Sequence, residues 1–448
     1  MQMESWLPQT FFALAYLFFP NCYTVLDLYI SCRIIPIKKS GSMDSGEILP
    51  YYQPVVSVSD GSIYGYEVLG RRRLADGTIE SLGPFFHDER SDLQERVEVS
   101  REIRRMAFGR IDSLAPHQKL FVNIKPSWLW NYRAESSLPT LKMLETSGVP
   151  PHRIVIEITE DEFQGDLTEL FDMIARYRAA GCKIAVDDFN FNFMDRLIHL
   201  QPDIVKIDMA LVKRIAQSPE YRSLIEYIAS FARDFGISVL FEGVETEREL
   251  ESAIESGAEF VQGFHFARAE AEFVDRFQFQ SDLREVLQRV VHRNWNRNRN
   301  VMTIESVMNR LLSDLLLPMR SALNGNGGYH EEKVDQVLES ILNGLPPKCY
   351  RIYACNDRGD QLSSNFERSD GSDFTKRPEF QKMNWSWRPY FLHNLVRMKQ
   401  YGRGIISTPY RDTETKRETL TFSCPVIADL YLFMDFELPE IPDSESDD

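Results

Sequence analysis

Basic residues are in short supply in this chain: 51 Lys and Arg stand against 67 Asp and Glu, a formal charge of -16 over 448 residues. A protein that tracks along a nucleic-acid polymer needs a surplus of cations to neutralise phosphates, so this balance argues against such a partner, though not against a small anion held through metal ions. Cysteine is sparse as well. Cys22, Cys32, Cys182, Cys349, Cys355 and Cys424 form no Cys-x-x-Cys pair and share no short repeated spacing, which speaks against zinc and points to reduced thiols in the cytoplasm. A secretory cleavage site of small residues is also missing.

The amino-terminal stretch is unusual. Trp6 to Cys32 is aromatic and aliphatic, and Arg33, Lys38 and Lys39 follow it, as they would follow a membrane segment whose carboxyl side faces the cytoplasm. Pro20, Asn21 and Asp27 in its middle speak against that reading. Met43 lies just before the first strand-like run, so an upstream translation start is the alternative, and both readings of residues 1–45 stay open. The remaining length exceeds one barrel of about 250 residues and predicts at least two domains. With 43% apolar and 26% charged residues, a large core can form.

Seven short apolar runs in the first half each end in a residue that can bind a metal or move a proton. They are Ile63 to Glu67, Leu120 to Asn123, Ile154 to Glu157, Ile184 to Asp187 with Asp188, Ile204 to Lys206 with Asp208, Val239 to Glu242, and Phe260 to Gln262. Helical spacing lies between them. Leu167, Leu170, Phe171, Ile174 and Tyr177 end at Gly181, and Ser218-Pro219 starts a helix whose predicted stripe is Leu224, Ile225, Ile228, Phe231 and Phe235. Strand alternating with helix predicts an α/β barrel with its chemistry at the carboxyl ends of the strands. Val55 to Val58 and Ile63 to Glu67 are joined by only Ser59-Asp60-Gly61-Ser62, too short for a crossover helix, so the first pair should be an antiparallel hairpin.

Glu67, Asn123, Glu157 and Asp187 are hard oxygen donors, and adjacent Asp187 and Asp188 would repel unless cations neutralised them. Oxygen-only ligation favours magnesium, manganese or calcium, and an aspartate bridging two ions is a device for phosphodiester hydrolysis. Lys206 is placed to orient or deprotonate a water, and Arg71 suits bidentate phosphate contact.

These residues resemble the EAL-domain cyclic di-GMP phosphodiesterases. Glu67-Val68-Leu69-Gly70-Arg71 is similar to that family's Glu-Ala-Leu-Leu-Arg signature. Val122-Asn123-Ile124, Glu157-Ile158-Thr159-Glu160, Asp187-Asp188-Phe189, Lys206-Ile207-Asp208, Glu242-Gly243-Val244-Glu245 and Gln262-Gly263 follow in order. The resemblance implies a TIM-like (β/α)8 barrel with an antiparallel first strand, one or two Mg2+ or Mn2+ ions, and hydrolysis of cyclic di-GMP to the linear dinucleotide. It implies that Glu67, Asn123, Glu157 and Asp187 hold one ion, and that Asp187, Asp188 and Glu242 hold or face a second. Lys206 would contact the nucleophilic water, with Glu242 as the alternative base. Gln53, Leu69, Arg71, Asp208 and Gln262 would touch the nucleotide, while Glu160 and Glu245 would brace the loops.

The resemblance breaks after the paired acids. Active relatives carry a Gly-Thr-Gly-Tyr-Ser-Ser-Leu loop there, whereas this chain reads Asn190-Phe191-Asn192-Phe193-Met194-Asp195-Arg196-Leu197 and is shorter. Asparagine can take the left-handed turn conformation, but the hydroxyls are gone. A cyclic di-GMP receptor that signals through a partner is therefore the competing reading.

Phe273 to Leu323 is helix-compatible, with the basic, Asn-rich segment His292 to Asn300 expected to interrupt it. Beyond Asn324-Gly325-Asn326-Gly327-Gly328 the chain turns β-rich. Trp385-Ser386-Trp387-Arg388-Pro389-Tyr390-Phe391, with Ser407, Tyr410, Asp412 and Thr413, resembles an α+β PAS/Cache-like sensor domain found in one branch of the EAL family, and implies an unknown small ligand. The expected organisation is an extension over 1–45, a barrel over 46–272, linker helices over 273–328, a sensor over 329–438 and a disordered acidic tail over 439–448. A homodimer is expected, because the altered loop and the long apolar-striped helix each offer a surface that one chain cannot easily bury.

Overall fold

The computed structural model describes residues 46–437 apart from 89, 159–165, 190–196, 198, 324–330, 370–371 and 428. The amino-terminal extension, Glu160, the loop from Asn190 to Arg196, the side chain of Asp188 and the acidic tail thus lie outside the described residues. Among the described residues no helix is long and apolar enough to cross a membrane. The chain forms two compact units that divide between Phe279 and Gln280.

The first unit is a closed barrel. β1 (Glu47–Ser57) and β2 (Ile63–Arg73) form the expected antiparallel hairpin, which runs further than the apolar pattern suggested, with Glu47 opposite Arg73. β3 (Ile79–Ser81) borders β2 outside the ring. β4 (Lys119–Ile124), β5 (Ile154–Ile158), β6 (Lys183–Phe189), β7 (Ile204–Ile207), β8 (Ser238–Phe241) and β9 (Phe260–Val261) complete it in the order β1-β9-β8-β7-β6-β5-β4-β2, and β1 closes on β2. Neighbours around the ring are parallel except for the two pairings of β1.

Helices between the strands follow local chemistry. Asp166 caps Leu167–Ala180 by accepting from the Thr168 N–H, and Gly181 ends that helix at φ 103, a left-handed conformation that glycine adopts without a Cβ penalty. Ser218 caps Pro219–Asp234 as its sequence predicts. The buried stripe there is narrower than expected: Ile225, Ile228, Ala229 and Ala232 are buried, whereas Leu224 and Phe235 are exposed. Leu224 lies one residue, about 100° of helix, off that stripe.

Inside the barrel, Val55, Phe121, Val155, Ala185, Ile204 and Leu240 form one apolar layer, with Tyr64 and Phe260 packed against it and their rings stacked at 4.3 Å. Side chains two positions apart on a strand share a face. The next inward positions from this layer are Gln53, Asn123, Glu157, Asp187, Lys206 and Glu242, with Gln262 following Phe260 by the same step.

The second unit is an α+β domain on an antiparallel sheet. β10 (Cys349–Asn356), β11 (Asn365–Glu367), β12 (Thr375–Arg377), β13 (Ile405–Ile406), β15 (Glu418–Ile427) and β16 (Leu430–Glu437) run in the order β12-β11-β10-β16-β15-β13, with β14 (Tyr410–Arg411) on β15. Period-two alternation splits its core. Ile352, Ala354, Leu432 and Met434 pack with Met308, Leu312, Val334 and Leu338 of the helices Gln280–Leu323 and Glu331–Ile341. Tyr353, Cys355, Tyr431 and Phe433 pack on the other face with Phe391, Leu395 and Met398 of Pro389–Tyr401. The helix Gln280–Leu323 runs unbroken through His292 to Asn300, where an interruption was expected. Arg and Asn cost only about 0.7 kcal/mol or less each in a helix, and within this helix neither Gly nor Pro occurs before Pro318. Cys182, Cys349, Cys355 and Cys424 are free and buried.

Candidate active site

One step above the apolar layer, the barrel interior turns from hydrocarbon to charge. Lys206 on β7 is 1% exposed, and its ammonium meets Glu157 of β5 at 2.6 Å, Asp187 of β6 at 3.0 Å and Glu242 at the end of β8. Glu67 on β2 is fixed from two sides: Asn123 Nδ2 donates to Oε1 at 3.0 Å and Gln262 Nε2 donates to Oε2 at 2.8 Å. Gln262 also reaches Gln53 Oε1 at 3.3 Å, and Gln53 donates to the Ala267 carbonyl. Eight strand ends are thus tied into two adjoining polar groups, four around Lys206 and four around Glu67 and Gln262.

The backbone enforces this. A Cβ on Gly263 would lie 2.0 Å from the Val244 carbonyl oxygen, so only glycine lets the segment after Gln262 cross the segment after Glu242. The Val244 N–H donates to the Gln262 carbonyl there at 3.0 Å.

Burial and mutual repulsion decide the protonation states. Burial disfavours the Lys206 ammonium, but Asp187, Glu157, Glu242 and Glu67 together outweigh it and hold its pKa well above the usual lysine value. Glu157 is driven well above the usual carboxylate range by burial first; Lys206 offsets this in part, while Glu67 and Asp187 add to it. Glu242 is raised in the same way, with Lys206 pulling against burial and Asp187 and Glu67 supporting it.

Do these donors fit a metal ion? Three carboxylates, Glu157, Asp187 and Glu242, share one ammonium, and Glu67 adds a fourth held by neutral amides. Both Glu157 oxygens and Oε1 of Glu242 are buried without an aligned hydrogen-bond donor, although Lys206 touches each residue as an ion pair. Hard oxygens with uncompensated charge suit a divalent cation. Among the described residues no three Asp, Glu, His or Cys converge closely enough to hold an ion as they stand.

Two cavities flank the network. One, of about 260 Å³, is lined by Leu69, Arg71, Asn123 and Asp187 together with Arg104, Lys125 and Trp128. The other, of about 360 Å³, is lined by Gln53, Glu67, Glu242, Glu245, Gln262 and Phe264. Arg71 lies 5.8 Å from the Tyr51 ring and donates to the Gly70 carbonyl. Asp208 acts as a helix cap, accepting from the Ala210 N–H at 2.7 Å. Glu245 pairs with Lys213 at 3.3 Å.

Arg104 and Trp128 were not picked out from the sequence. Arg104 donates to the Asn123 carbonyl at 2.9 Å, so it positions that strand end, and burial lowers its pKa to about 10. The available signal was a cation seven residues after Val97, on the buried stripe of the helix Leu93–Phe108.

The barrel, its layered polar mouth and the order of its strand-end residues agree with comparison to known proteins. Residues 39–269 match the EAL domain model. The chain belongs to the EAL family. Residues 273–442 match the EAL-domain associated signalling protein domain, so both units have EAL-family counterparts. The uncharacterized EAL-domain containing protein YkuI of Bacillus subtilis is 34% identical over 87% of this chain and 94% of its own length. The crystal structure of that protein in complex with c-di-GMP and calcium superposes with a TM-score of 0.79 at 33% identity, covering 87% of this chain and 96% of that one. The cyclic di-GMP phosphodiesterase RocR of Pseudomonas aeruginosa is 28% identical over 52% of this chain and 60% of its own length.

Proposed function

We propose that this EAL protein binds cyclic di-GMP across the barrel mouth and hydrolyses one phosphodiester bond to give the linear dinucleotide. The observation that carries this reading is the single polar layer in which Lys206 contacts Glu157, Asp187 and Glu242 beside a Glu67 held by Asn123 and Gln262. The two flanking cavities support a ligand with two bases and a scissile diester between them.

Glu67, Asn123, Glu157 and Asp187 would hold one Mg2+ or Mn2+ ion, and Asp187, Asp188 and Glu242 a second. Such ions, when bound, neutralise phosphate charge and acidify the attacking water. Lys206, protonated at neutral pH in this surrounding, donates a hydrogen bond that orients the water rather than removing its proton. Glu242, paired with Lys206 at the same strand ends, is the alternative base. Arg71 and Lys125 supply cationic donors at the rim for phosphate oxygens, and Gln53 and Gln262 offer amide groups to the nucleotide.

Purified protein incubated with cyclic di-GMP and Mg2+ or Mn2+ should yield the linear dinucleotide on chromatography, and Glu67→Ala should yield none. Product from Glu67→Ala at the wild-type rate would overturn the assignment. A receptor is the second reading, favoured by one observation: Asn190 to Arg196 replaces the glycine- and serine-rich loop of active relatives. The four free, buried cysteines support a cytoplasmic setting. We place the protein as a homodimer, since Val291, Trp295 and Met302 recur on one exposed side of the helix Gln280–Leu323. Light scattering that reports only monomer at micromolar concentration would contradict it.

A further inference from the structure

The second unit holds a polar cavity whose walls are electrically divided. Arg351 of β10 stands on one side with every donor spent. Its Nε donates to Glu367 at 3.1 Å, Nη1 to Asp412 and Asp435 at 3.1 and 3.2 Å, and Nη2 to Asp412 and Glu414 at 3.3 and 3.2 Å. Four carboxylates surround one guanidinium, Asp412 among them lines the cavity, and Asp412 and Asp435 are almost wholly buried. Arg388 stands on the other side. It is 8% exposed, its Nη2 donates to Thr413 Oγ1 at 3.0 Å, and its Nε has no hydrogen-bond partner. No ion pair to Arg388 occurs among the described residues; instead its guanidinium lies against the rings of Trp385 and Trp387, at 5.3 and 4.6 Å.

Other polar groups in the lining are already used. Trp385 Nε1 donates to Gln361 at 2.6 Å, Asn365 Nδ2 donates to Glu367, and the Tyr353 and Tyr390 hydroxyls meet at 3.2 Å. The aromatic segment is locked in place. Gly359, at φ 89, lets Ser386 close against it, and the Trp385 N–H donates to the Gly359 carbonyl at 2.8 Å. The space between these side chains is tight, a cavity of about 10 Å³. A ligand must therefore be small and must push side chains outward as it enters.

We infer that this cavity binds a small zwitterion, an amino acid of the size of alanine, with its carboxylate on Arg388 and its ammonium towards the carboxylates around Arg351. The inference goes beyond the reading of the barrel and stands whether or not the barrel turns over. A buried guanidinium with an unused donor asks for an anionic oxygen, but a simple anion would also face Asp412, the carboxylate that lines the cavity beside Arg351. A simple cation would leave Arg388 unpaired. Only a ligand with both charges answers both walls, and Trp385 supplies an apolar surface for its short side chain.

The test is calorimetric titration of the full chain with glycine, L-alanine and L-serine, against propionate and ethylamine as the two halves of alanine. At least one amino acid should bind at millimolar concentration or below, and about tenfold or more tightly than either half, the factor expected for losing a charged hydrogen bond. Arg388→Lys, which keeps the charge but loses the planar fork, should weaken that binding by about tenfold. Absence of heat with all three amino acids, or propionate or ethylamine binding as tightly as alanine, would overturn the inference, as would unchanged binding in folded Arg388→Lys. The comparison with the half-ligands uses the unaltered protein, so it decides the matter even if Arg388→Lys does not fold.

Discussion

Replacing Lys206 by methionine isolates the charge at the centre of the barrel. Methionine keeps the length and the apolar stem but leaves Glu157, Asp187 and Glu242 without the ammonium they share. Removing one partner of a buried ion pair costs about 3–5 kcal/mol. Glu157 and Glu242 already hold protons more firmly than ordinary carboxylates, so they can shed part of the stranded charge, and the lower end of that range is expected. At about 2–4 °C per kcal/mol for a unit of this size, the barrel of Lys206→Met should melt about 6–12 °C below wild type in chelator. A divalent cation neutralises the same carboxylates and stabilises by about 2.7 kcal/mol at a hundredfold excess over Kd. In the wild type it competes with Lys206, whereas in the variant it does not, so the gap in melting temperature should narrow when calcium replaces chelator. Scanning calorimetry of the full chain reads both numbers. Equal melting in chelator would mean that the lysine does not hold the cluster, and a gap unmoved by calcium would mean that the ion binds elsewhere.

Three further outcomes follow from the same physics. Turnover should require Mg2+ or Mn2+ and be suppressed by Ca2+, whose looser coordination does not enforce tight geometry; full rates in chelator would refute this. In the second unit, burial pushes Asp435 up to about 6 despite Arg351 and Thr421, so it keeps its proton longer when folded than when unfolded. Its contribution to stability is therefore greatest below about pH 4 and falls as pH rises to about 6, by about 3 kcal/mol at 1.36 per unit. The stability difference between wild type and Asp435→Asn should shrink by that order across this window, and parallel melting curves for the two would contradict it. Grafting the glycine- and serine-rich loop of active relatives between Phe189 and Leu197 should raise turnover and leave nucleotide affinity nearly unchanged; a folded graft that binds but never cleaves would move the assignment to a receptor.

The site was legible because the barrel converts a linear pattern into a layer. Asn123, Glu157, Asp187, Lys206, Glu242 and Gln262 each follow an apolar inward residue by one two-residue step, so reading strand ends was equivalent to reading one cross-section. Arg104 and Trp128 escaped notice because they arrive from helical segments rather than from strand ends, the feature by which the mouth was read. The cluster around Arg351 escaped for a related reason. Asp412 and Asp435 are 61 and 84 residues away from it; Asp412 had been picked out through the sensor-domain resemblance but not as a partner of Arg351, and Asp435 carried the signal of an acid between Met434 and Phe436 in an otherwise apolar strand. The long helix was read as interrupted because a cluster of Arg and Asn resembles a solvated break, yet nothing in it stops hydrogen bonding along the backbone.

The central claim, that water attacks a phosphodiester held over Lys206 and Glu242, is tested most directly by single-turnover reaction with cyclic di-GMP and Mn2+ in heavy-oxygen water, followed by mass spectrometry. The account predicts a linear dinucleotide carrying one heavy oxygen on its terminal phosphate, formed by wild type and absent with Glu67→Ala. Cyclic di-GMP recovered intact from a protein that has bound it would contradict the account and leave the barrel a receptor.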